Sequence, residues 1–117
     1  MSGMVSYLAG QAAEQSVARH YERSGRRIAA TRWRGQAGEI DIVAREGDVL
    51  VFVEVKKSRS HAAAAERLSA RQMARIYASA SEFMAGEPRG SLTEVRFDVA
   101  LVDAQGRIEV LENAFAA

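Results

Sequence analysis

Nine residues, Val49-Leu-Val-Phe-Val-Glu-Val-Lys-Lys57, constrain this chain more than any other stretch. Side chains alternate across a strand, so Leu50, Phe52, Glu54 and Lys56 share one face and Val49, Val51, Val53 and Val55 the other. A strand that is apolar on both faces must be covered on both, which makes it the centre of a sheet flanked by helices. The carboxylate and the ammonium at its end stand out, because an unpaired buried charge costs several kcal/mol. The plain reading is a solvated strand end where Glu54 and Lys56 pair. The functional reading needs more acids on the same face.

The preceding segment supplies them. Glu39-Ile-Asp-Ile-Val-Ala44 alternates polar and apolar residues, the pattern of a half-buried strand, and Glu46-Gly47-Asp48 signals a turn into the central strand. If the hairpin closes with Arg45 opposite Asp48, Asp41 faces Phe52 and Glu39 faces Glu54. Asp41 then lies diagonal to Glu54, roughly 7 Å away along the backbone. Carboxylates gathered so closely repel one another unless a cation sits between them, and hard oxygen donors suit Mg²⁺ or Mn²⁺. A one-residue slip would separate them.

The rest of the chain predicts helices to cover this sheet. Residues 1–5 are expected to be loose. A helix is predicted from Tyr7 to Ser24, with Ala13, Val17, Ala18 and Tyr21 on one face and Gly25 as its stop. Glu14 shares that apolar face, which aims a further acid at the sheet. Arg27 to Trp33 reads as a strand, followed by a turn at Gly35 to Gly38. A second helix runs from Ala70 to Ala85, N-capped by Ser69 and striped with Met73, Ile76, Tyr77, Ala80, Phe83 and Met84. Strands follow at Glu94 to Val102 and Arg107 to Leu111. The order α-β-β-β-α-β, with a further edge strand, predicts an α/β mixed central sheet flanked by helices, in one domain over residues 1–117.

Composition narrows the classes. The chain has no cysteine, hence neither disulfides nor a thiolate metal site. No apolar run is long enough for a bilayer, and the start is not that of a signal peptide, so a soluble cytoplasmic protein with no membrane partner is expected. Net charge is only +1, yet twelve of the sixteen Lys and Arg fall in two segments. Arg19, Arg23, Arg26, Arg27, Arg32 and Arg34 form the first; Lys56, Lys57, Arg59, Arg67, Arg71 and Arg75 form the second. Brought together, they would suit phosphates. His20 and His61 lack metal spacing. Trp33 fits a core edge, and Arg96 with Asp98 a structural pair.

Asp41 followed by Glu54-Val-Lys56 resembles the Asp…(Asp/Glu)-x-Lys core of the restriction-endonuclease-like superfamily, which includes archaeal Holliday-junction resolvases. Glu14 resembles the helical acid of resolvase-type members. More closely, the chain resembles the YraN family of small endonuclease-like proteins. Gly10-Gln-Ala-Ala-Glu14, Gly38-Glu-Ile-Asp-Ile-Val43, Val51-Phe-Val-Glu-Val-Lys56, Arg71-Gln72 and Arg96-Phe-Asp-Val99 carry that likeness in order. The chain departs from the pattern at Lys57-Ser58-Arg59, where a Thr-Arg pair is expected, and at Arg71, where Lys is expected. The resemblance implies a restriction-endonuclease-like fold and Mg²⁺- or Mn²⁺-dependent hydrolysis of nucleic acid phosphodiesters. Structured or branched DNA is the substrate class it suggests, ahead of RNA. It implies that Asp41, Glu54 and the Val55 carbonyl hold the metal, that Glu14 holds a second metal or a water, and that Lys56 orients the attacking water. Gln72 fits either that water network or a capping role, with capping favoured. A nucleic-acid-binding module with little turnover would use the same residues, and a homodimer would suit an enzyme acting on two strands.

Overall fold

The computed structural model describes residues 3–115, with side chains from Leu8 onward. Helix α1 spans Gly3–Arg23, β1 Arg27–Arg34, β2 Glu39–Glu46 and β3 Val49–Lys57. A short α2, His61–Ala65, and a longer α3, Ala70–Met84, cross over to β4, Val95–Val102; β5, Ile108–Leu111, follows. The helix α1 thus includes residues 3–5, which the sequence suggested would be loose; residues 1 and 2 lie outside the described residues. No described helix is long and apolar enough to cross a membrane.

The five strands lie in the order β1-β2-β3-β4-β5, with β3 in the middle. Only β3 and β4 are parallel, so the sheet is mixed and the α2–α3 segment is its crossover. The double-sided reading of β3 holds. On one face Val51 and Val53 pack with Ile42, Ala44, Ala100 and Val102 under Ala13, Val17 and Tyr21 of α1. On the other, Leu50 and Phe52 pack with Phe97, Val99 and Leu101 under Ile76 and Ala80 of α3. Trp33 fills the edge of this second core, its ring edge-on to Phe83 with centroids 5.3 Å apart.

Local chemistry sets the ends of α3. Ser69 Oγ accepts from the Gln72 amide at 3.2 Å and the Gln72 side chain accepts from the Ser69 amide at 3.3 Å, a reciprocal capping box. Gln72 therefore serves the cap. The segment after Lys57 makes the extra turn α2, capped by Ser60 through the Ala63 amide.

The β2–β3 register differs from the sequence expectation. Arg45 pairs with Leu50 and Glu46 with Val49, leaving Gly47 and Asp48 as the loop. Gly47 has φ +60 at the first loop position, the type II′ requirement. A loop closing Arg45 on Asp48 would place Glu46 there, where a side chain is strained. The shift is two residues, so from Ile42 to Glu46 the faces are preserved but partners change. Beyond Ile42 the alternation expected of β2 breaks, since Ile42 packs under α1 and Ile40 under α3. The ladder stops at Ile42–Val53, so Asp41 does not pair with Phe52.

Candidate metal centre

The β2–β3 ladder ends at Ile42–Val53, and Asp41 stands at the fork. Its Oδ2 accepts a hydrogen bond from the Val55 amide at 2.8 Å. N–H and C=O of one strand residue project to the same edge, so the Val55 carbonyl faces this fork too. Glu54 is buried, and its carboxyl neighbours that of Asp41. Lys56 Nζ is 3.8 Å from Glu54 Oε1, with both side chains nearly covered.

Two further acids close on Asp41 from the other side. Oxygens of Glu14, Glu39 and Asp41 lie within 4.8 Å of one another. Glu14 comes from α1, one turn before Val17, and Glu39 opens β2. Asp41 thus links two groups, Glu54 with Lys56 on one side and Glu14 with Glu39 on the other. The sequence reading placed Glu39 near Glu54; the geometry joins it to Glu14 instead.

Crowding shows in the protonation of these groups. Burial and then the neighbouring Glu54 carboxyl push Asp41 up to about 8, against the Val55 amide and Lys56. Glu14 is also raised, first by burial and further by Asp41 and Glu39, with Arg32 opposing. Clustered carboxylates with raised proton affinity lack positive charge. The donors are all hard oxygens, so a divalent ion of the Mg²⁺ or Mn²⁺ kind fits them.

Arg32 is a site residue that sequence reasoning missed. Its Nε donates to Glu14 Oε1 at 2.8 Å. The pairs Thr31–Ile42 and Trp33–Ile40 place it across from Asp41. It has φ +51, rare for a residue with a long side chain. That local reversal aims Arg32 at α1 while Trp33 enters the α3 core, and strict strand alternation hides such an event.

Much of the first basic segment is committed to local acids. Arg26 pairs with Glu46, Arg32 with Glu14 and Arg34 with Glu39. Far from the fork, Arg96 grips Asp98 through two nitrogens at 2.9 and 3.0 Å, the expected structural pair. Tyr21 Oη and the Asn113 amide also donate to Asp98, at 2.7 and 3.0 Å, which satisfies a fully buried carboxylate.

A family model described as "Uncharacterised protein family UPF0102" matches residues 13–102. The chain belongs to that family. The matched span holds Glu14, Glu39, Asp41, Glu54 and Lys56. A UPF0102 protein of Cereibacter sphaeroides is 72% identical over 117 residues, covering 100% of both chains. One of Ruegeria pomeroyi is 61% identical over 113 residues, 97% of this chain and 92% of that one. A UPF0102 protein of Dinoroseobacter shibae is 48% identical over 111 residues, covering 95% and 83%.

Proposed function

We propose that this UPF0102 member is a metal-dependent nuclease of the restriction-endonuclease-like kind, hydrolysing phosphodiesters of nucleic acid, with DNA favoured over RNA. One observation carries the reading: Asp41 sits at the β2–β3 fork against the Val55 amide, beside a buried Glu54 that is followed on the same face by Lys56. The mixed sheet between α1 and α3 supports it, since it matches the architecture that the Asp…Glu-x-Lys resemblance implies.

Asp41, Glu54 and the Val55 carbonyl would hold the ion, with Glu14 and Glu39 beside them. A bound divalent ion supplies a hydroxide-like water at neutral pH and offsets charge on the phosphate. The Lys56 ammonium, fixed against Glu54, donates to the attacking water or to a phosphate oxygen as negative charge grows there. Water oxygen would bond to phosphorus as the phosphorus–oxygen bond to the leaving sugar breaks; the water proton would pass to solvent, and the leaving sugar oxygen would take a proton from solvent. A homodimer would give such a site access to two strands.

A nucleic-acid-binding module with little turnover is the second reading. Arg32 favours it, because its guanidinium already satisfies Glu14. The deciding experiment titrates Mg²⁺ and Mn²⁺ against labelled branched, flapped and linear substrates, with Glu54→Ala run alongside. Metal-dependent cutting that the variant loses supports the nuclease. Binding without cutting, or equal cutting by the variant, rejects it.

A further inference from the structure

A cavity of about 410 Å³ opens beside the fork, between the first half of α1 and the end of β3. Glu14 lines its metal-facing end, Gly10 and Ala13 form one wall, and Lys56, Lys57 and Arg67 supply positive charge. Arg67 is set in place by a hydrogen bond from Nη1 to the Lys57 carbonyl, at 2.9 Å.

Gly10 is the telling residue. Glycine inside a helix costs about 1 kcal/mol relative to alanine. Here φ is not in the left-handed range, so the backbone does not demand it. A Cβ at this position would meet nothing within 4 Å among the described residues. A missing side chain on a cavity wall lets a ligand approach the helix backbone closely.

We propose that this cavity receives one unpaired nucleotide of a single-stranded segment adjoining the phosphodiester to be cut, an inference that rests on the nuclease reading above. Its volume lies near the low end of the ~300–1,000 Å³ typical of small-molecule sites. A paired nucleotide must unstack and leave its partner to enter a walled cleft, whereas an unpaired one enters with little penalty. Among the described residues no aromatic side chain lines the cavity. Lys57 and Arg67 instead engage the sugar-phosphate backbone, which makes recognition tolerant of sequence and sensitive to salt.

The test uses the full chain and a fluorescein-labelled single-stranded oligothymidylate, read by anisotropy in Ca²⁺, against a hairpin duplex of equal length. The single strand is expected to bind about tenfold more tightly than the duplex, and Gly10→Leu to lose about tenfold of that affinity. Mn²⁺ binding by calorimetry should be unchanged in that variant. Gly10→Ala guards against a folding defect: it should raise the melting temperature while still weakening single-strand binding. Lys57→Ala should reduce the slope of log affinity against log salt by roughly 0.7. Equal binding of duplex and single strand, or wild-type affinity in both Gly10 variants, overturns the proposal. Metal-dependent cutting with Gly10-insensitive binding would reject this pocket and leave the nuclease standing. Gly10-sensitive binding without cutting would do the reverse.

Discussion

The main-chain amide of Val55 donates to Asp41 Oδ2 at 2.8 Å, so a side chain stands where a backbone carbonyl would continue the β2–β3 ladder. That contact holds the strands apart at their ends while keeping the Val55 amide satisfied. It also fixes one carboxylate oxygen of Asp41.

Stability of the metal-free protein should fall as pH rises. Folding raises the Asp41 pKa from 3.8 to about 8, so between those values the folded state holds more protons than the unfolded state. The contribution is fully present below the unfolded value and is lost as pH rises through the folded one. Glu14, shifted the same way, adds to the trend. Urea midpoints should decline across this window and decline less in Asp41→Asn. Mn²⁺ should stabilise the wild type more at the alkaline end, where bound protons no longer compete. A midpoint that climbs toward pH 8 in the absence of metal would contradict this.

Lys56→Met separates a catalytic ammonium from a structural one. Cleavage should fall about 10²–10³-fold, the scale of losing one preorganised donor. Mn²⁺ affinity should hold or rise, because a competing positive charge has left the site. If affinity and cutting drop together, Lys56 serves only to position Glu54.

Gly47→Val should disturb the metal centre from a distance. A β-branched residue resists the positive φ that the loop requires, at about 1–2 kcal/mol. The β2–β3 pairing depends on that loop, so Mn²⁺ affinity should weaken along with the denaturation midpoint. Affinity unchanged in a destabilised variant would show that Asp41 is placed independently of the turn.

Tyr21→Phe removes one donor from the buried Asp98 and should cost roughly 1.5–3 kcal/mol in chemical denaturation, as for hydrogen bonds to a charged group. Metal affinity should not change, since this pair lies away from the fork. Arg96→Ala, which strips two donors from the same carboxylate, should cost more.

Much of this is legible in the sequence alone. Apolar residues on both faces of Val49 to Val55 required a central strand under two layers, and the stripes of α1 and α3 provided the layers. The capping box at Ser69 and Gln72, and the Arg96–Asp98 pair, follow from local spacing alone. The period of two set Glu54 and Lys56 on one face of β3 and the 3.6-residue period set Glu14 on the buried face of α1, because such a period assigns a face without needing a partner. The helix α1 covers the opposite face of β3, so periodicity alone did not bring Glu14 to Glu54.

Periodicity could not say which residue stands opposite which. The turn at Gly47 moved the β2–β3 register by two residues, so that Ile42 pairs with Val53 and the ladder stops before Asp41. The reversed backbone at Arg32 broke the alternation of β1 and brought a guanidinium to Glu14. Glu39 joined Glu14 because α1 packs across the splayed end of β2, a contact between elements far apart in the chain. The sequence by itself determined the faces of β3, α1 and α3, through repeating local geometry. Only the tertiary structure decided the candidate metal centre, because its acids meet where the strand ladder stops and local periodicity no longer applies.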